Sequence, residues 1–368
     1  MGLAVAFQYT AAPTPLRYDV VIAGAGLAGA CAAFHLSRTR AVLVLERHAP
    51  AAGASGAAAG LVNPLMGRKA RPAWRHTEAL TTLDALLHAA GASALFRRTG
   101  VLRPAADLAQ AGAFVAAAET HRGAAEWLPP GAACERWPDV AAPHGALWIA
   151  GGGHLALPAL VRALLAAAEV RGATVRVGTG LAGWETDGDG CIAITDHGER
   201  IRTRHLLLAL GDGFRRFSAL AELPLHRVKG QTIRLRRPPD LDGLPAISGS
   251  VYVVPEADGL VVGATFEHDF ASLAPDPAQS EALRAKAARL LPPLSMTPVL
   301  DAQAGVRVTV PGTRLPLLGP LPGRPAAWVF TGLGAKGLLT APLLAQALPT
   351  LLDAPETIPP EVSTLRLG

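Results

Sequence analysis

The spelling Gly-x-Gly-x-x-Gly occurs three times in this chain, and only at Gly24, Gly26 and Gly29 do its surroundings dictate a structure. It follows a five-residue run, Asp19 to Ala23, that reads as a buried parallel strand. It opens a proline-free stretch of small residues, 27–36, that reads as a helix, and residues 41–45 then form a second strand that delivers Glu46. In such a βαβ unit the first glycine makes the tight turn, the second lets backbone approach a pyrophosphate, and the third lets helix pack on strand. Glu46 stands 22 residues beyond Gly24, where a carboxylate accepts ribose hydroxyls. The N–H groups and positive dipole end at the helix start form an anion site. The unit predicts dinucleotide binding.

The other two copies lack that context. Gly178, Gly180 and Gly183 are followed by the turn-rich residues 184–188, so they punctuate a hairpin. Gly332, Gly334 and Gly337 follow a strand at 327–331 and precede a helix at 338–352, with no second strand and acid beyond. That copy is expected to aim a helix N-terminus at an anionic group.

Half of the 368 residues are apolar, enough for a large core. The formal charge of +5 suits anionic ligands, but the bases form short clusters with few aromatics among them, which does not indicate a nucleic-acid surface. Cys31, Cys134 and Cys191 are odd in number and widely spaced, which fits neither a disulfide framework nor a metal site and suggests a reducing compartment. The first sixteen residues make a poor secretory signal. Pro342 and Pro349 interrupt the longest apolar stretch, so no membrane span is expected. A soluble cytoplasmic protein is the expectation, with oligomerisation open.

Along the chain, helices are expected at 70–90, 105–119, 158–171 and 279–291, with a Pro/Trp-rich connector at 127–148. Short strands at 174–177, 180–185, 191–196, 200–203 and 204–210 return to the first sheet. A second, antiparallel set (231–236, 250–255, 259–265) has Asp258-Gly259 as a hairpin turn. A strand at 305–310 and the terminal strand, loop and helix close the order. The reading is an α/β chain. A Rossmann-like domain (17–75, 150–225 and 301–368) interleaves with an α+β, antiparallel-sheet substrate domain (76–149 and 226–300), and the ligands lie between them.

Several segments share a second, more specific pattern. They are Tyr18 through Glu46-Arg47; Gly53-Ala54-Ser55-Gly56-Ala57-Ala58-Ala59-Gly60; Val177; Leu207-Leu208-Ala209-Leu210-Gly211; Lys229-Gly230-Gln231; the runs 251–255 and 261–265; Gly305-Val306-Arg307; and the runs 315–319 and 331–337. In this order the chain resembles the D-amino-acid oxidase superfamily of flavoproteins, on the branch that holds glycine oxidase and the FAD oxidase module of the bacterial tRNA wobble-uridine modifying enzyme. The family's Thr before Gly211 is replaced by Leu210.

The resemblance implies FAD as cofactor, held by Gly24, Gly26, Gly29, Glu46, Arg47, Ser55, Gly56, Val177, Gly211, Gly332, Gly334, Gly337 and Leu338. With no Cys or His in residues 55–60 or 332–337, the cofactor is expected to be non-covalent. It also implies oxidation of a small amine or amino acid, with O2 or another electron acceptor as partner. Arg307 is expected to grip the substrate carboxylate, for which a guanidinium is a planar two-pronged donor. Tyr252 is expected to hydrogen-bond the same group, and Lys336 to reinforce the C-terminal helix dipole or assist O2. No dedicated base is required. Asn63, Arg68 and Lys69 read as solvated loop residues, His154 as structural, and His35 and Cys31 as packing. A flavin hydroxylase would need a Gly-Asp motif before the last helix, and a disulfide reductase a second βαβ unit with a Cys pair. Oxidation of a carboxymethylaminomethyl group on tRNA, and a flavin-fold binding protein without catalysis, stay open.

Overall fold

A computed structural model describes residues 17–239, 241–257 and 259–367. The first sixteen residues, and Asp258 of the expected hairpin turn, lie outside them.

The chain begins with β1 (Arg17–Ala23), α1 (Leu27–Leu36) and β2 (Val42–Glu46), the unit expected from the glycines. There follow α2 (His76–Ala89), β3 (Val101–Pro104), α3 (Leu108–Thr120), β4 (Glu126–Leu128) and β5 (Ala146–Ile149). Next come α4 (Leu157–Val170), β6 (Thr174–Val177), β7 (Leu181–Asp187), β8 (Gly190–Thr195) and β9 (Arg200–Leu208). The remainder is β10 (His226–Leu235), β11 (Ala246–Ser248), β12 (Tyr252–Glu256), β13 (Gly259–Gly263), α5 (Pro277–Leu290), β14 (Val299–Thr309), β15 (Leu317–Leu321), β16 (Arg324–Thr331) and α6 (Gly337–Leu351).

The first sheet runs β6-β2-β1-β9-β8-β7, with β16 pairing β9 and β15 pairing β16. Its middle is parallel: β6, β2, β1, β9 and β16. Both faces are covered, which is why residues 20–23 of β1 and 42–45 of β2 are unbroken apolar runs. Val20, Ile22, Val42 and Val44 face the core shared with α1, α4 and α6, while Val21, Ala23, Leu43 and Leu45 enter the core on the other face. Each such Val, Leu or Ile side chain contributes about 1.5–3 kcal/mol by leaving water. Beside β1 on one edge, strand β9 serves two neighbours on the other: its first half pairs antiparallel with β8 and its second half parallel with β16.

The second sheet, β14-β10-β13-β12-β11-β3-β5-β4, is mostly antiparallel. Its alternation is clean. Ile233, Val253 and Val262 join a core with Leu283, Ala287 and Leu290 of α5, whereas Tyr252, Gly263 and Arg307 face a cleft.

Three expectations need correction. The helix expected from residue 70 begins at His76, because Arg71–Pro72 instead pairs with Leu65–Met66; Pro72 lacks the N–H a helix interior needs. The 127–148 connector supplies β4, β5 and a short helix, Ala132–Arg136. The two strands expected at 200–210 are one, β9. Pro342 and Pro349 lie inside α6, within the helix expected at 338–352. Among the described residues no helix is long and apolar enough to cross a membrane, and no cluster of His, Cys, Asp and Glu could hold a metal ion.

Candidate active site

One cleft of about 750 Å³ is lined by both large sheets, within the range of about 300–1,000 Å³ usual for cofactor and ligand sites. At one end lie Glu46, Arg47, Gly180 and Leu181; in the middle Gly24, Gly26, Ser55 and Gly211; at the other end Tyr252, Arg307 and the Gly332–Gly337 loop.

The first end and the middle have the form of a nucleotide cradle. Gly24 has φ +106, and a Cβ there would stand 2.4 Å from the Ala209 carbonyl oxygen; on Gly29 it would stand 1.9 Å from the Gly24 carbonyl oxygen. Helix α1 therefore lies against the strand turn as closely as backbone allows. Gly26 caps α1 without a side-chain bond, and the first-turn N–H groups have no partner within the helix. Ser55 Oγ accepts from Leu27 N–H at 3.1 Å. Glu46 accepts from Ala25 N–H at 2.7 Å and His48 N–H at 2.9 Å, which fixes its carboxylate at the cleft edge. Arg47 is held by Asp196 at 3.0 Å and by the Leu181 carbonyl at 2.9 Å.

Four expected residues stand apart from the lining. Gly29 is packed beneath it. Gly56 lies under the Ala51 carbonyl, where a Cβ would come within 2.4 Å. Val177 pairs with Glu46 in parallel register, but its side chain is exposed on the edge strand. Lys336 caps α6 with its side chain half-buried, and burial followed by nearby Arg314 lowers its pKa. Arg68 pairs with Asp107 on the surface. Asn63, read as solvated, is instead buried and lines the cleft, its Oδ1 accepting from Leu65 N–H.

At the far end Arg307, on β14, lies across Gly230 of β10: a Cβ on Gly230 would come within 2.2 Å of its Nη2. That nitrogen donates to the Thr265 carbonyl at 2.6 Å, and the guanidinium stacks on Phe266 at 4.4 Å. Burial lowers the Arg307 pKa, opposed by Tyr252. The Tyr252 phenol lies over Gly263, where a Cβ would stand 2.6 Å from its hydroxyl. Burial pushes it up to about 12, against the pull of Arg307 and of the Ala59 backbone, so it remains a neutral hydroxyl. The start of α6 closes this end: Gly332 (φ +72) and Gly334 (φ +55) turn the chain, and a Cβ on Gly337 would meet Leu27 of α1 at 3.3 Å. Two helix N-termini thus converge on one cleft. Phe266, Leu273 and Arg103 also line it, and the sequence reading missed all three.

The sequence profile of the FAD dependent oxidoreductase family matches residues 19–349. This chain belongs to that family. It is 30% identical over 358 residues to the glycine oxidase of Pseudomonas aeruginosa, covering 92% of this chain and 96% of that protein. It is 33% identical over 392 residues to the tRNA 5-methylaminomethyl-2-thiouridine biosynthesis bifunctional protein MnmC of Thiobacillus denitrificans, covering 94% of this chain but only 58% of that protein. Among solved structures, the glycine oxidase from Geobacillus kaustophilus superposes with a TM-score of 0.82 at 26% identity, over 92% of this chain and 95% of that one. The chain is an FAD-dependent oxidoreductase. The cradle fits that cofactor, since its glycines stand where side chains would fill the groove or drive helix from strand.

Proposed function

We propose that the protein oxidises the C–N bond of a small amino acid or N-substituted glycine. The observation that carries this reading is the half-buried Arg307 guanidinium, which shares the far end of the cleft with a neutral phenol and has no acid within ion-pair distance among the described residues. Such a group is suited to a carboxylate.

In this proposal Glu46 and the start of α1 hold the adenosine and pyrophosphate parts of FAD, and the 332–338 loop faces its ring. Bound there, FAD supplies the two-electron acceptor for the substrate's α-hydrogen. Arg307 receives the substrate carboxylate, and the Tyr252 hydroxyl donates to the same group. Two donors fix the α-carbon in position, and that positioning is this chain's contribution to the rate. The amine must arrive neutral so that its lone pair can form the C=N bond, and water then hydrolyses the imine. The N-terminus of α6 stabilises negative charge growing near it. O2 is the proposed final electron acceptor. Lys336 is left out of this scheme, because it does not line the cleft. We further propose that the cofactor-holding and substrate-holding parts correspond to residues 17–75, 150–225 and 301–368, and to 76–149 and 226–300.

The test is anaerobic mixing with a panel of carboxylate-bearing amines while flavin absorbance is followed. Bleaching by at least one small amino acid is expected; no bleaching by any would overturn the reading. A carboxymethylaminomethyl group on tRNA is also an N-substituted glycine, and the resemblance to the bifunctional tRNA protein favours including it. Bleaching by tRNA alone would replace the small-molecule substrate with that one.

A further inference from the structure

Arg103 is buried, 6% exposed, at the cleft wall. Its Nη1 donates to the Leu65 carbonyl at 2.7 Å and its Nη2 to the Gly67 carbonyl at 2.6 Å, while its guanidinium stacks on Phe114 at 4.9 Å. Nε has no partner. These contacts account for two of five donors, and among the described residues no carboxylate lies within ion-pair distance of the guanidinium. Asp107, four residues on, is taken by Arg68. The acids that line the cleft are Glu46 and Asp212, and both are engaged elsewhere, Glu46 by backbone N–H groups and Asp212 by Arg227. Burial lowers the Arg103 pKa to about 10, so the group remains a cation at neutral pH. A buried cation without a counter-charge is unfavourable until an anion joins it.

The neighbours are donors as well. Leu102 pairs with Ile247 in parallel register, and one step further brings Arg103 level with Ser248. Ser248 pairs with Tyr252, and Tyr252 with Gly263. Arg103, Ser248, Tyr252 and Gly263 therefore form one row across the sheet, all lining the cleft. Asn63, which also lines the cleft, uses its Oδ1 on Leu65 N–H, and its amide N–H groups have no hydrogen-bond partner among the described residues.

We infer that Arg103, with Ser248 and Asn63, forms a second anion subsite beside Tyr252, so that the preferred substrate is an amine with a second carboxylate besides the one assigned to Arg307. This rests on the amine-oxidation reading for the word substrate, but the subsite itself can be tested by binding alone.

The experiment titrates the flavin-loaded protein with glutarate and with pentanoate by calorimetry, in wild type, Arg103→Gln and Arg103→Lys. Wild type is expected to bind glutarate about 10-fold tighter or more, the effect of one charge-assisted contact. Arg103→Gln should level the pair to within about 3-fold with pentanoate unchanged, and Arg103→Lys should keep part of the preference. Turnover supplies a second readout. N-(2-carboxyethyl)glycine should show a KM about 10-fold below that of its uncharged isostere N-(3-methylbutyl)glycine in wild type, with similar kcat, and Arg103→Gln should erase the gap. Equal binding of the two acids in wild type, or a preference that survives Arg103→Gln, overturns the inference. If neither variant folds, the wild-type pair decides. Glutarate preference without turnover of any amine would sink the oxidation reading and leave this subsite standing.

Discussion

Replacing Gly230 with alanine separates the site from the fold. A Cβ at this position would stand 2.2 Å from Arg307 Nη2 and 2.8 Å from its Cζ, and among its three nearest atoms none is backbone. Gly230 has no positive φ, so alanine fits the strand, and the guanidinium has to yield. Reaching ordinary contact near 3.4 Å means a withdrawal of about 1.2 Å, which breaks the 2.6 Å bond to the Thr265 carbonyl. A charged hydrogen bond of this kind is worth about 1.5–3 kcal/mol, and a misplacement of about 1 Å in a substrate anchor lowers rates about 100-fold. We expect kcat/KM for a carboxylate-bearing amine to fall about 10- to 100-fold, mostly through KM. The melting temperature should stay within about 2 °C, because alanine also restricts the unfolded chain. Steady-state kinetics, half-saturation of anaerobic flavin bleaching and a thermal melt together read this out. An unchanged half-saturation would show that Arg307 does not hold substrate. A collapse of the melt with loss of flavin would show that the clash falls on backbone.

Gly29→Ala should do the reverse, since its Cβ meets the Gly24 carbonyl oxygen at 1.9 Å: a loss of about 1–3 kcal/mol of stability, with flavin absorbance lost on purification, is expected in denaturant titration and visible spectra. Tyr252→Phe should keep flavin and lower kcat/KM about 10-fold, the effect of one hydrogen bond. Because burial pushes the phenol up to about 12, no limb of the pH–rate profile below pH 10 should belong to it, and a limb that vanishes in Tyr252→Phe would contradict this. His35, His154 and His205 are each lowered to about 4, first by burial. Their folded values lie below the ordinary 6.5, so the unfolded chain takes up protons first. The stability they contribute is full above about pH 6.5 and is lost as pH falls toward 4, on the order of a few kcal/mol in sum. Urea midpoints constant from pH 7 to 4.5 would refute that.

The nucleotide end was legible because each of its residue types has one reading at that spacing: Gly24 needs φ +106, Gly29 needs the absence of a Cβ, and β1 and β2 are apolar on both faces. Tyr252 and Arg307 were legible only through their order along the chain, since nothing local to a tyrosine or arginine on a strand says which face it takes. Arg103 was missed for the same reason. It sits in the run Val101-Leu102-Arg103-Pro104 and becomes a cleft residue only when β3 lies beside β11. Strands β4 and β5 form by pairing with each other, and β5 with β3. Phe266 lies beyond the expected hairpin, where only its stacking on Arg307 explains so exposed an aromatic ring.

Strand β9 joins halves that are written far apart. Its residues pair with Arg17–Ala23 on one side and with residues 327–329 on the other, so the parallel platform beneath the glycine turn gains its last members only after more than three hundred residues have been synthesised. Pairings at such separations form slowly. Until then the second half of β9 has no neighbour on that edge, which makes a partly synthesised chain prone to aggregate. A fragment ending before residue 324 would carry every residue of the N-terminal fingerprint and still be unable to build the groove it belongs to.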